Sequence, residues 1–147
     1  MRRNKYGNKK ARCLSKHIHD SKFEASYCNR LLAMKQSGEI SGYSIQVPYP
    51  LTVAGKLICT HIVDFVVIRF EPGHVVMPDK SVQHGDFRVD EAHEVKGFAT
   101  DVWKIKRRLF EAIYPAVKYI VIKKGAVHVR RRKGQAGGIT RGYVRLH

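Results

Sequence analysis

Apolar residues recur along this chain in two rhythms, and the rhythms divide it into elements. Phe23, Tyr27, Leu31 and Met34 follow one another at spacings of four, four and three, which places them on one stripe of a helix. Ser21-Lys22-Phe23-Glu24 has the form of a capping box at its start, and Ser37-Gly38 supplies a terminal glycine. Tyr43-Ser44-Ile45-Gln46-Val47 alternates like a strand, and Pro48 and Pro50 push its end to a sheet edge or a bend. Lys56 to Phe70 is the longest strand candidate. Glu71-Pro72-Gly73 is turn chemistry, so residues 71–86 read as a loop or ragged hairpin tip. Phe87 to Lys96 returns as a third strand, stopped at Gly97. An antiparallel meander is the simplest arrangement of the three.

Thr100 can cap a second helix, with Asp101 favourable at its positive end. Val102, Ile105, Leu109 and Ile113 form its expected buried stripe, which leaves Lys104, Arg107 and Arg108 exposed. Val117 to Ile122 reads as a buried strand, parallel to a neighbour because a helix precedes it. Val127 to Arg130 adds an edge strand. The element order is α-β-β-β-α-β, an α/β domain with a central mixed sheet flanked by helices. Its 147 residues suit one such domain with a full core. The expected divisions are a basic arm over 1–19, the domain over 20–130, and a basic, glycine-rich extension over 131–147.

Charge changes the picture from fold to partner. Lys and Arg number 28 against 12 Asp and Glu, a formal net charge of +16, which attracts polyanions through counterion release. Residues 1–19 hold seven Lys/Arg and no acid, and read either as a mobile arm that orders on a phosphate backbone or as a solvated tail. Arg130, Arg131, Arg132 and Lys133, followed by glycines, suit a loop that wraps such a backbone. Three cysteines without a C-x-x-C spacing argue against a disulfide framework or a zinc knuckle, and for a reducing cytoplasm. His17-x-His19 near Cys13 reads as a polar arm segment rather than a ligand set. No apolar stretch approaches the roughly 20 residues that span a bilayer.

The candidate chemistry lies on the strands. Glu94 and Lys96, two apart, project from one face of a strand. Asp64 stands in the apolar run Ile62–Ile68, where a carboxylate is unfavourable without a partner. Two carboxylates and a lysine on one sheet can hold a divalent cation and polarise a phosphate. The competing reading is a structural ion cluster with Lys96 as partner, which is often no more stable than a hydrophobic replacement. Glu24 likewise has two readings, as a third acid or simply as the last residue of the capping box. His61 and His93 alternate onto the face opposite Asp64 and Glu94. Asp90 shares parity with Glu94 but lies about 13 Å away along the strand. Trp103 reads equally as a core anchor or a base-stacking residue.

This order, with Asp64 on the second strand and Glu94-x-Lys96 on the third, resembles the PD-(D/E)xK nuclease superfamily, and more closely its small phage-encoded members. The shared text runs from Asn4-Lys5-Tyr6-Gly7-Asn8-Lys9-Lys10 through Asp20-Ser21-Lys22-x-Glu24, Gly38-Glu39-Ile40 and Val63-Asp64-Phe65. It continues with Glu94-Val95-Lys96-Gly97-Phe98 and Lys106-Arg107-Arg108-Leu109-Phe110 ahead of Tyr114-Pro115. Val63 replaces the proline of the name, and the match covers about residues 4–115. The resemblance implies a restriction-endonuclease-like αβββαβ core and metal-dependent phosphodiester hydrolysis, with Holliday-junction resolvases among the relatives. It implies Mg²⁺, with Mn²⁺ substituting, held by Asp64, Glu94, the Val95 carbonyl and Glu24. Lys96 would orient water or stabilise the transition state, and Gln46 would contact the water or phosphate. Lys5, Lys9, Lys10, Lys104, Lys106, Arg107 and the Arg130–Lys133 run would bind nucleic acid. The expected protein is a cytoplasmic phage or prophage endonuclease acting on branched DNA, as a homodimer where cutting is symmetric. A membrane or small-molecule partner is not expected. Two alternatives stand beside it: a catalytically silent nucleic-acid-binding protein, and a non-specific or RNA-directed nuclease on the same scaffold.

Overall fold

The computed structural model describes residues 9–123. A four-stranded mixed sheet lies between two helices, in the spatial order β3-β4-β5-β6. Ahead of it stands a hairpin of β1 (Ala11–Arg12) and β2 (Ile18–His19). The expected mobile arm is therefore corrected: residues 11–19 are folded, with Cys13 and His19 buried against the first helix. Leu14 N–H donates to Asn29 Oδ1 at 2.7 Å, which ties the turn to that helix. Lys9 and Lys10 are exposed, whereas Lys5, Arg130, Arg131, Arg132, Lys133 and the Val127 to Arg130 strand lie outside the described residues.

Helix α1 (Lys22–Gln36) begins as its sequence dictates. Ser21 Oγ accepts from Glu24 N–H at 3.1 Å, while Glu24 reaches back to the Ser21 hydroxyl at 3.0 Å and the Asp20 amide at 3.3 Å. This reciprocal cap satisfies donors that a helix start leaves free. Ser21→Ala is expected to lower stability by about 1 kcal/mol, read from chemical denaturation. Gly38 at φ +74 ends the segment in the left-handed region that glycine adopts without strain.

Strand β3 (Gly42–Val53) runs straight through Pro48 and Pro50. It is a sheet edge, where a missing N–H on the outer side breaks no ladder. Ala54 and Gly55, both at positive φ, turn the chain into β4 (Lys56–Val76). β5 (Val82–Val95) pairs with β4 from Val76↔Val82 to Phe65↔His93. Residues 71–86 are therefore no loop: all but the Met77–Ser81 turn belong to a two-stranded ribbon. Pro72 is tolerated because β3 stops opposite Ile68, leaving β4 an edge beyond that point. Helix α2 (Asp101–Ile113), capped by Thr100 Oγ1, crosses to β6 (Lys118–Ile122), which is parallel to β5 as expected.

Two cores result. α1 and the hairpin cover Phe65, Val67, Val95 and Ile122, while α2 covers Val63, Val66 and Ala92 through Phe110. The stripe expected on α2 was rotated. Val102 and Ile105 are 65% and 59% exposed, and the inward face is Trp103, Arg107 and Phe110, with Leu109 and Ile113 at its side. Arg107, expected outside, is half-buried over the rings of Trp103 and Tyr119 and paired with Glu111.

On the α1 side, buried Glu91 accepts from Arg69 Nε and His93 Nε2, both at 3.0 Å, and pairs with Lys118 Nζ at 3.4 Å. Tyr27 Oη lies 2.7 Å from His93 Nδ1. Burial alone would raise the Glu91 carboxyl, but His93 and Arg69 outweigh it and bring it down to about 2.

Candidate active site

The β4–β5 ladder stops at Phe65↔His93, one residue short of Asp64 and Glu94. Beyond it β4 continues paired only with β3, and β5 only with β6. The sheet forks there. At the crotch, Asp64 Oδ2 accepts the Val95 N–H at 2.8 Å, a side chain replacing the next rung of the ladder. Gln46 stands across β3 from Asp64, with Nε2 3.5 Å from Asp64 Oδ1 and its backbone at φ +50. A left-handed non-glycine residue inside a strand is strained by about 1–3 kcal/mol.

That distortion has a consequence for side-chain direction. Tyr43, Ile45, Phe65 and Val67 belong to the α1-side core, but Val47, Tyr49, Leu51 and Val63 belong to the α2-side core. All eight are odd-numbered. Simple alternation cannot send them to opposite faces, so both strands change face at Gln46 and Asp64. His61, placed by parity on the far face from the acids, is thereby brought to theirs. It lines a cleft of about 330 Å³ with Thr60, Glu94, Lys96, Trp103 and Lys106, and its Nε2 is 2.9 Å from Tyr119 Oη. His93 does lie on the other face, against Tyr27.

Glu94 and Lys96 share a face as their spacing predicts, and Lys96 Nζ pairs with Glu94 Oε1 at 2.8 Å. Glu94 is 2% exposed, and its Oε2 is buried without a hydrogen-bond partner among the described residues. Asp64 is pushed up to about 7, first by burial and then by the charge of Glu94; the Val95 amide opposes this, Glu24 adds to it, and Lys96 opposes it. Glu24 is raised by burial, against its bonds to Ser21 and Asp20 and the charge of Lys96. The four groups thus feel one another's charge, and Glu24 does so while capping α1. Burial lowers His61, with Glu94 acting against it.

Of the cations expected to steer a polyanion, Lys106 is at the cleft, donating to the Thr60 carbonyl at 3.3 Å. Lys104 is exposed and paired with Asp101 at 2.9 Å. Among the described residues, however, the tightest set of metal-capable donors is not the acids. It is Cys13, His17, His19 and Cys28, whose ligand atoms lie within 4.8 Å of one another. His17, His19 and Cys13, read from the sequence as a polar arm segment, are brought together with Cys28 into a group that could hold a metal ion. The hairpin that unites them was invisible because its strands are two residues long, too short to show a period.

An α/β domain with a forked mixed sheet and a carboxylate–lysine cleft is the class that fold and site define. A family model described as "Protein of unknown function (DUF1064)" matches residues 3–128, and the chain belongs to that family. No curated protein and no solved structure matches it. No helix among the described residues is long and apolar enough to cross a membrane.

Proposed function

We propose that this protein is a Mg²⁺-dependent DNA endonuclease of PD-(D/E)xK type, on a restriction-endonuclease-like core. We further propose that it selects branched DNA such as a Holliday junction, in a phage or prophage setting. One observation carries the reading. Asp64 and Glu94, on strands that separate at that point, meet beside Lys96, within electrostatic range of Glu24. Interrupting a ladder forgoes backbone hydrogen bonds, and beside the interruption the Glu94 Oε2 atom is buried without a partner among the described residues. Such an atom calls for a cation or a donor.

The donor set fits a hard divalent ion, since Asp64, Glu94, Glu24 and the Val95 carbonyl all offer oxygen. Bound there, Mg²⁺ or Mn²⁺ would supply an acidified water and neutralise charge on the phosphate. The chain does the rest. Lys96, held by Glu94 and 5.9 Å from the Trp103 ring centre, places a positive charge where negative charge develops on a phosphate. Asp64, held up to about 7 in the metal-free protein, gives up its proton when it binds the ion. Gln46 is exposed beside it and available to water or phosphate. Lys106 at the cleft wall and Lys104 and Arg108 on the same helix draw the backbone in. A homodimer is expected where a junction is cut symmetrically.

The test is cleavage with Mg²⁺ of four-way junction, flap, duplex and single-stranded DNA, comparing wild type with Lys96→Ala. Junction cleavage is expected, slowed about 10²–10³-fold in the variant. Inactivity on every substrate would retire the enzyme, and equal cutting of all would retire the junction preference. A second reading, a silent nucleic-acid-binding protein, draws on the direct Lys96–Glu94 pair and on the acids being less tightly gathered than the Cys/His set. On that reading Glu94→Ala leaves DNA affinity unchanged or raised, and no metal is required.

A further inference from the structure

Cys13, His17, His19 and Cys28 come from three places: the hairpin turn, β2 and the second turn of α1. The Cys28 sulfur is 3.4 Å from that of Cys13. His17 Nδ1 is 3.6 Å from the Cys13 sulfur and 3.7 Å from the Cys28 sulfur. A tetrahedron with metal–sulfur bonds of about 2.3 Å and metal–nitrogen bonds of about 2.0–2.1 Å has edges of about 3.8 Å between sulfurs and about 3.6 Å from sulfur to nitrogen. These three distances match those edges to within a few tenths of an ångström, and the His19 nitrogen lies within 4.8 Å of the other ligand atoms. Cys13, His19 and Cys28 are buried at 6%, 3% and 0% exposure.

Ordinary packing does not account for this group. Thiols are weak donors and weak acceptors, so they poorly compensate imidazoles taken out of water. His19 Nε2 is buried with no hydrogen-bond partner among the described residues, although a buried ring nitrogen is nearly always satisfied. The third cysteine, Cys59, packs in the α2-side core, apart from the group. Tyr43 Oη, 3.9 Å from the Cys28 sulfur, is placed to support that ligand from outside.

We propose that these four side chains bind one structural Zn²⁺. Two sulfurs and two imidazole nitrogens in a closed tetrahedral set select zinc over Mg²⁺ or Ca²⁺, which take oxygen. Four protein ligands leave no open position, so the ion staples the hairpin to α1 rather than performing chemistry. It fixes Lys9 and Lys10 at the start of the folded chain and braces the helix that carries Glu24. The staple also explains how two strands of two residues each persist, since a hairpin that short is not stable by itself.

The experiment is metal analysis of tag-free protein purified without chelator, with thiol titration on the same sample. Wild type and Cys59→Ser are expected to carry about one zinc per chain, and Cys13→Ser and Cys28→Ser less than about a fifth of that. Because the serine variants can misfold, wild type is also to be stripped and refilled with Co²⁺. Tetrahedral d–d bands with a thiolate charge-transfer band are the expected result, and zinc removal is expected to lower the unfolding temperature by about 10 °C. Wild type without stoichiometric zinc, an octahedral cobalt spectrum, or a Cys13–Cys28 disulfide in the purified protein would each overturn the proposal. None of these readouts depends on DNA cleavage.

Discussion

Asp64→Asn is expected to abolish DNA cleavage while making the metal-free protein more stable at alkaline pH. Burial and the charge of Glu94 hold the Asp64 carboxyl up to about 7, whereas an aspartate in an unfolded chain ionises near 3.9. Between those values the folded protein keeps a proton that the unfolded chain has released. Stability contributed by the protonated form is complete below about pH 4 and falls as pH rises through about 7. The difference is roughly three pH units, so at most about 4 kcal/mol is lost by pH 8 in buffer without divalent cations. Asparagine keeps an oxygen for the Val95 N–H but cannot ionise. It should therefore remove this slope and gain about 2–4 kcal/mol over wild type at pH 8. Urea denaturation at pH 5 and pH 8 reads the effect. Added Mg²⁺ should recover stability at pH 8 in wild type and much less in the variant, because only the ionised carboxylate binds it strongly. A wild-type protein that grows more stable between pH 5 and pH 8 without Mg²⁺ would contradict this account of the fork.

Glu91→Ala is expected to cause a comparable loss of stability with no direct effect on cleavage chemistry. Glu91 is 4% exposed and receives Arg69, His93 and Lys118. Removing the shared acceptor leaves buried His93 and the largely buried Arg69 unmatched, which costs about 3 kcal/mol, while exposed Lys118 turns to water. Its carboxyl ionises at about 2 against an ordinary 4.5. That stabilisation is therefore present above about pH 4.5 and is lost as pH falls through about 2, a total of about 3 kcal/mol. The gap between wild type and Glu91→Gln should close as pH drops across that window, which lies below the one governed by Asp64. Denaturation midpoints between pH 2 and pH 7 test this. A gap of constant size would mean that the ion pairs contribute little. The cluster packs on the α1 side, away from the cleft, so activity measured well below the unfolding temperature should persist.

How far the fold could be read from the residues depended on whether an element kept one period and one environment throughout. α1 did, and its capping box, stripe and terminal glycine all appear where the spacing puts them. So did Glu94 near the end of β5 with Lys96 just beyond it, and the parallel return of β6. The ribbon did not. Past Ile68 the strands lose β3 and both faces meet solvent, so apolar alternation fades and Glu71-Pro72-Gly73 looks like a turn. On α2 the inward face is built from Trp103, Arg107 and Phe110. An arginine placed over aromatic rings defeats a stripe drawn from aliphatic residues alone. His61 was misplaced because parity counting assumes an unbroken pleat, and the face change at Gln46 and Asp64 breaks it. A polar residue opposite a carboxylate in mid-strand was the one available signal of that break.

β4 and β5 each live in two environments along their length. β4 lies between β3 and β5 from Phe65 to Ile68, and β5 between β4 and β6 from Glu91 to His93, whereas from Arg69 and Val89 outward they have only each other. Breathing is cheap where few apolar groups are covered and expensive where many are. The distal half can therefore fray and re-zip repeatedly while the proximal half stays shut. Asp64 and Glu94 are anchored at the durable end, so agitation at the Met77–Ser81 turn dissipates before it reaches them.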